Sequence, residues 1–199
     1  MDALEVARTV FAAEAGAVSA LAQHADDRFS QAVRAIVGCT GRVVLFGVGK
    51  SGHIGRRVAA TMASLGIPSF FVHAGEGHHG DIGSVTADDV VIIISYGGES
   101  EEVLTMLPVL RQIGTLLVSI TGRPDSTVAR AVEIVLDTGP HTGQGAVGWT
   151  HLSSLAASMA MGDALANSAA ASRGLTRQDL ARYHPGGSYG KELRKAGLV

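Results

Sequence analysis

Two glycine- and serine-rich segments carry the residue types that bind a small anion. The first glycine segment is Gly47-Val48-Gly49-Lys50-Ser51-Gly52, and the second is Ser95-Tyr96-Gly97-Gly98-Glu99-Ser100. Glycine lets the backbone turn sharply and bring its N–H groups close to a ligand. Each segment precedes a predicted helix, whose free N–H groups and dipole favour a negative charge. The pattern predicts an anion site with Lys50 as countercharge, because a merely solvated lysine at a helix start would oppose the dipole.

Two nucleotide-binding motifs compete for the first glycine segment. Gly47, Gly49 and Gly52 have the spacing of the dinucleotide fingerprint G-x-G-x-x-G. That fingerprint also requires an acidic residue about 20 residues later, but residues 72–74 are Val-His-Ala. The Gly-Lys-Ser run resembles a nucleotide phosphate-binding loop, but Val44 occupies the position of its first glycine. A small phosphorylated ligand is therefore favoured over NAD or ATP, and no cofactor is predicted.

Three carboxylates follow the second glycine segment. Glu99, Glu101 and Glu102 fall at a predicted helix start, where a carboxylate is favourable by about 0.3–1 kcal/mol without any catalytic role. Glu99 and Glu101 can be explained in that way. Three carboxylates facing one anion would repel it, so we expect one of them to face the ligand for proton transfer.

Histidines occur in two further predicted turns. His78-His79-Gly80-Asp81 follows the second predicted strand, and its spacing is not that of a compact metal motif. We therefore predict loop histidines without a metal. His184 precedes Pro185-Gly186-Gly187, which places it in a turn and not on a core face. Taken alone, it is better explained as a surface histidine in a turn.

Hydrophobic patterning predicts the elements that position these residues. Apolar residues at helical spacing predict two helices within 2–38 and a long helix of small residues over about 152–171. Short apolar runs predict five strands, at 42–46, 69–72, 90–94, 116–120 and 134–136. Alternating strands and helices predict a doubly wound α/β fold with a parallel sheet of flavodoxin-like order 2-1-3-4-5. Ligands then bind beyond strands 1 and 3, where both glycine segments stand.

Composition limits the class of protein. The chain has 199 residues, 46% of them hydrophobic and 17% charged, with a net charge of −2. These values exclude a disordered chain and argue against a nucleic-acid partner. No apolar run approaches the ~18 residues of a membrane span, and the first residues do not resemble a secretion signal. With Cys39 as the single cysteine, we expect one cytoplasmic domain over 1–199, comprising N-terminal helices (1–38), an α/β core (39–171) and a C-terminal segment (172–199).

Six segments together resemble one protein family. They are Gly49-Lys50-Ser51-Gly52-His53-Ile54-Gly55, Phe70-Phe71-Val72-His73, His79-Gly80-Asp81, Ile120-Thr121-Gly122-Arg123-Pro124, Met161-Gly162-Asp163-Ala164-Leu165 and His184-Pro185-Gly186-Gly187. Over about residues 40–195 the chain resembles the arabinose-5-phosphate isomerase branch of the sugar isomerase (SIS) family. The resemblance implies interconversion of an aldose phosphate and a ketose phosphate without a redox cofactor. It also implies a homotetramer with active sites shared between subunits, in the short form that lacks CBS regulatory modules.

The resemblance also implies roles for individual residues. Lys50, Glu102, His79 and His184 match the catalytic positions of the family. Substrate-binding positions are the glycine backbone and the serine hydroxyls around the anion, namely Gly49, Ser51, Ser95, Gly97, Gly98, Ser100, Ser153 and Ser154. The expected reaction proceeds through a cis-enediol, with Glu102 as base, His184 as ring-opening or proton-shuttling group and His79 assisting. The roles of Glu102 and His184 can also be reversed.

Departures from the family pattern leave the substrate open. The family's second loop is Ser-Asn-Ser-Gly-Glu, so Gly97 lacks one hydroxyl that faces the phosphate. The family's acid before the last long helix is absent, and His141, Gln144 and His151 are candidate polar substitutes. A different anion-tipped sugar, such as a sulfonated hexose, is therefore an alternative substrate. A non-catalytic sugar-phosphate sensor is the alternative to an enzyme.

Overall fold

The computed structural model describes residues 2–140 and 152–198. Five strands lie within these ranges: β1 (Val43–Gly47), β2 (Ser69–His73), β3 (Val90–Ile94), β4 (Leu116–Thr121) and β5 (Ile134–Asp137). The helices are α1 (Ala3–His24), α2 (Asp27–Gly38), α3 (Gly49–Ser64), α4 (Ala74–Gly77), α5 (Glu101–Ile113), α6 (Thr127–Arg130), α7 (Leu152–Ser172), α8 (Arg177–Tyr183) and α9 (Gly187–Lys195). No described helix is long and apolar enough to cross a membrane.

The five strands form one parallel sheet in the order β2-β1-β3-β4-β5. Every residue of β1 and β3 is buried, which explains why these strands are continuous apolar runs without alternation. Pairing of Phe46 with Ile93 aligns the carboxyl ends of β1 and β3. The predicted doubly wound α/β fold and its strand order are therefore confirmed.

Apolar side chains fill both faces of the sheet. On one face, Met62 of α3 and Leu165 of α7 pack with Leu45 and Ile92. On the other, Phe46 and Ile93 pack with Leu110 of α5. The predicted N-terminal helices are present, and α2 adds Ile36 to the first of these layers. Helices on both faces are what a parallel sheet requires, because each of its faces must be covered.

Helices α3 and α7 run in the same direction along the sheet. Gly162 of α7 packs against Val58, and a Cβ atom placed on it would lie 2.5 Å from Val58 Cγ2. Near that contact, Arg57 forms an ion pair with Asp163. At the far end, Arg173 Nη1 donates to the Gly66 carbonyl oxygen at 3.2 Å. The start of α7 therefore lies at the same edge of the sheet as the start of α3, which is the carboxyl edge.

The C-terminal segment lies at the opposite, amino edge. Gly66 connects α3 to the start of β2, and its positive φ of 73° brings it against the ring of Tyr183, the last residue of α8. Leu65, Gly66, Arg173, Leu175, Asp179 and Tyr183 surround a small cavity of about 190 Å³ there. The His-Pro-Gly-Gly turn directly follows Tyr183 and so begins at the amino edge of the sheet.

Candidate functional site

The two glycine segments lie side by side at the carboxyl edge of the sheet. A Cβ atom on Gly47 would lie 2.9 Å from the carbonyl oxygen of Ile94. The ends of β1 and β3 therefore leave no room for a side chain at position 47, so only glycine fits there. Gly49 then adopts a φ of 57°, turning the chain into α3. Lys50 is exposed in the first turn of that helix, with Ser51 half-buried beside it.

The two helices that follow the glycine segments have N-termini without side-chain caps. In α3 the N-cap residue is Val48, and in α5 it is Ser100, whose hydroxyl makes no capping hydrogen bond. By contrast, Asp26, Ser126 and Thr176 cap α2, α6 and α8 with side-chain oxygens. Uncapped N-terminal N–H groups still need an acceptor, and an anion is a suitable one. The arrangement can therefore hold a small anion between α3 and α5.

The second glycine segment contacts residues at the start of α6, the helix that follows β4. Gly98 has a φ of 65°, and its carbonyl oxygen accepts from the Val128 N–H at 3.1 Å. A side chain on Gly98 would overlap the hydroxyl of Ser126. Ser95, at the start of the segment, is buried. Gly97 is exposed, and a side chain there would meet nothing within 4 Å.

Glu99 has a structural partner outside its own segment. Its Oε1 accepts from the Thr127 N–H of α6 at 2.7 Å. This hydrogen bond is the main reason that the pKa of the Glu99 carboxyl lies below its ordinary value. Glu99 thus helps to cap α6, and not the first turn of α5 as the sequence suggested. Glu102 lies exposed in that first turn.

The histidine turn is fixed against α5. Gly77 packs against Met106, with 3.2 Å between a Cβ atom placed on Gly77 and the Met106 sulfur. His78 Nε2 lies 2.9 Å from the hydroxyl oxygen of Thr105. His79, which follows, is exposed on the same turn. Thr105 was not among the predicted site residues, and the only signal for it in the sequence was its place one turn after the acids of α5.

The start of α7 adds two buried serines to the carboxyl edge. Ser153 and Ser154 are 3% and 1% exposed. The Ser153 hydroxyl has no hydrogen-bond partner among the residues that the structure describes. A buried hydroxyl without a partner is costly, so this one has the capacity to bind a ligand or another polar group. The predicted contacts His141, Gln144 and His151 lie outside the described residues.

His184 is separated from the other predicted site residues within one chain. It follows α8 at the amino edge, where its Nδ1 lies 2.9 Å from the Leu180 carbonyl oxygen. Its ring packs edge-on against Tyr189, with 5.2 Å between ring centroids. Lys50 lies at the other end of α3, a helix of 16 residues and thus about 24 Å long. The structure thus brings Lys50, His79 and Glu102 to one edge and leaves His184 at the other.

Residues 2–140 and 152–198 contain no cluster of metal-binding side chains. Within those ranges no three His, Cys, Asp or Glu side chains lie close enough together to hold a metal ion.

Comparison with known proteins relates this geometry to a family. A protein-family model described as "SIS domain" matches residues 36–168. The chain is 45% identical to arabinose 5-phosphate isomerase KdsD of Escherichia coli K12 over 192 residues, which cover 96% of this chain and 58% of KdsD. KdsD of Pseudomonas aeruginosa PAO1 is 40% identical over 193 residues, covering 97% of this chain and 59% of that protein. This chain therefore spans a little under three fifths of these curated relatives.

A solved structure matches over its whole length. The structure of c3406 from E. coli CFT073 in complex with arabinose 5-phosphate has a TM-score of 0.88 and 36% sequence identity, and the match covers 93% of this chain and 100% of that one. The sheet order, the matched residues 36–168 and this similarity agree with one another. The chain belongs to the SIS domain family, as the six segments of the sequence together predict.

Proposed function

We propose that this protein is an aldose–ketose isomerase of a sugar phosphate, with arabinose 5-phosphate as the first substrate to test. One observation carries the proposal: α3 and α5 begin side by side at the ends of β1 and β3, and neither has a side-chain cap. Lys50 adds a positive charge at that point. The names of the relatives, which include arabinose 5-phosphate isomerases and a structure in complex with that sugar phosphate, support the choice of substrate.

In the proposed mechanism, the anionic end of the sugar is held first. The N–H groups of Gly49, Gly97 and Gly98, with the hydroxyls of Ser51 and Ser100, surround it. Ser95, Ser153 and Ser154, which are buried at the same edge, complete the hydroxyl set. Holding the phosphate orients the carbonyl end of the sugar, and such orientation lowers the entropic part of the barrier.

Proton transfer then takes place at the carbonyl end. Glu102 removes the proton from C2, the electrons move into an enediol, and the proton returns to C1 to give the other isomer. His79, on the adjacent turn, moves a proton between O1 and O2. A positioned acid–base group of this kind contributes about 10²–10⁴ in rate.

We propose that His184 acts in the site of a second copy of the chain, within a homotetramer. The support is its distance from Lys50, which is about the length of α3. An apolar stripe on α1 also favours association with another copy: Leu4, Phe11 and Val18 are 64%, 68% and 41% exposed. Their spacing of seven residues places them on one face of the helix. We further propose that the enzyme works in the cytoplasm and has neither a nucleic-acid nor a membrane partner.

The test is isotope exchange with a panel of substrates. The protein is incubated in D₂O with arabinose 5-phosphate, other sugar phosphates and a sulfonated hexose, and C1 and C2 are followed by NMR. The proposal expects solvent deuterium at these carbons together with formation of the ketose. Exchange only with the sulfonated sugar would support the proposed isomerase activity and show that the substrate is a sulfonated sugar. Binding of the sugars without any exchange would indicate a sensor and refute the proposal that the protein is an enzyme.

A further inference from the structure

We infer that His78 is a positioning residue of the proposed site, which ties the turn carrying His79 to the helix carrying Glu102. This inference rests on the proposed function. Its basis is the hydrogen bond between His78 Nε2 and Thr105 Oγ1, which are 2.9 Å apart. The bond joins the turn after α4 to the first part of α5. Those two elements carry the proposed acid–base pair.

A neighbouring hydrogen bond favours one direction for the His78–Thr105 bond. The hydroxyl of Thr105 lies 2.8 Å from the Glu101 carbonyl oxygen, an acceptor to which it donates its only proton. With that proton directed to Glu101, the hydroxyl oxygen accepts from His78, and we take Nε2 to carry a proton. In that arrangement the neutral ring of His78 has its proton on Nε2 and its lone pair on Nδ1.

The bond also fixes the distance between the two proposed catalytic groups. Thr105 follows Glu102 by three residues, so the two side chains share one face of α5. His79 directly follows His78 in the chain. The packing of Gly77 on Met106 holds the same turn at a second point. Loss of the His78 bond would let the turn rotate about the Gly77 contact and move His79 relative to Glu102.

A purely structural role explains the pair poorly. His78 and Thr105 are both exposed, and a hydrogen bond between exposed groups adds little to stability because water competes for both partners. A misplacement of about 1 Å, however, can cost on the order of 10²-fold in rate. The expected effect therefore appears in turnover and not in folding.

The test compares three threonine variants. Thr105→Val removes the hydroxyl, and we expect kcat to fall about five- to tenfold, the equivalent of one hydrogen bond, with KM changed less than about twofold. Thr105→Ser keeps the hydroxyl and should retain the wild-type kcat. Thr9→Val is the matched control, because the Thr9 hydroxyl also donates to a carbonyl oxygen four residues earlier, that of Glu5, on exposed helix α1. We expect it to leave kcat unchanged.

A double-mutant cycle separates the pair from independent effects. His78→Phe should lower kcat as much as Thr105→Val, and the double variant should be no slower than either single variant. Additive losses would overturn the inference, and so would a His78→Phe variant with wild-type kcat.

A spectroscopic readout keeps this test independent of the proposed function. In ¹⁵N NMR of the imidazole rings, wild-type His78 should show the Nε2–H pattern, and Thr105→Val should shift it towards the mixture of tautomers of a free histidine. Identical His78 signals in both proteins would refute the hydrogen bond itself. If the wild-type protein isomerises no sugar while the His78 signals behave as expected, the enzyme proposal fails and the bond remains.

Discussion

Glu102 stands in the first turn of α5, beside a second carboxylate at Glu101. Replacing Glu102 by Gln keeps the size of the side chain and removes the proposed base. We expect kcat to fall by about 10²–10⁴, while substrate binding changes little, because the anion is held by other groups. Steady-state kinetics and calorimetric titration with the substrate measure the two effects separately.

The neighbouring residue provides the matched control for that experiment. Glu101→Gln removes one carboxylate from the same helical turn, so it changes the local charge equally. We expect its kcat to stay within about threefold of the wild type, since a carboxylate at a helix start contributes only a fraction of a kcal/mol. Equal losses in both variants would indicate that the charge of the turn matters and not the base.

Glu99 links two elements, because its carboxylate accepts a hydrogen bond from the N-terminus of α6. The bond lowers the pKa of the Glu99 carboxyl in the folded state. Its stabilising effect is therefore present above the ordinary carboxyl pKa and is lost as pH falls through the lowered value. Glu99→Gln should therefore decrease the free energy of unfolding at neutral pH, and the difference should disappear in acid. Urea unfolding at both pH values checks this. A difference that persists in acid would contradict the ionic origin of the effect.

Close contact between helices α3 and α7 depends on Gly162. An added methyl group would meet the side chain of Val58, so Gly162→Ala should destabilise the fold by about 1–3 kcal/mol through overpacking. Gly16 of α1 offers the control, because nothing lies within 4 Å of an added Cβ atom there. Gly16→Ala should stabilise the protein by roughly 0.5–1 kcal/mol through helix propensity. Urea denaturation measures the change in the free energy of unfolding for both variants. If the contact with Val58 has no effect, both substitutions should change it with the same sign.

At the level of elements, the sequence predicted most of the fold, and the physical reason is burial. Strands β1 and β3 are covered on both faces, so their residues are apolar without interruption and were recognisable. Glycines that form the site, such as Gly49 and Gly98, were recognisable because positive φ angles restrict the residue type. The short helix α6 was not predicted, since one helical turn leaves no periodic pattern.

Long-range placement could not be predicted in the same way. The position of His184 depends on the packing of Tyr183 against Gly66, and no spacing along the chain encodes that contact. The pairing of His78 with Thr105 likewise joins exposed residues 27 positions apart. The role of Glu99 as a cap for α6 has the same origin. In each case tertiary contacts determine which side chains meet.

For the whole molecule, the separation of Lys50 and His184 leads to a prediction about assembly. Glu102→Gln and His184→Ala should each be inactive as pure proteins. Mixed oligomers, prepared by unfolding and refolding the two variants together, should regain part of the activity, because some sites then combine an intact Glu102 with an intact His184 from another copy. Isotope exchange in D₂O measures the recovery. Mixed oligomers as inactive as the parents would argue against a shared site.

The convergence of α3 and α5 at one edge has a thermodynamic consequence. Two positive helix ends without side-chain caps, placed side by side, repel each other when no counterion lies between them, so an occupied site makes the native state more stable by mass action. Inorganic phosphate alone, without any sugar, should therefore raise the melting temperature in proportion to the logarithm of its concentration, by the equivalent of about 2.7 kcal/mol at one hundred times its Kd. Chloride at equal ionic strength should not, because only an anion with several oxygen acceptors can accept hydrogen bonds from both helix ends at once.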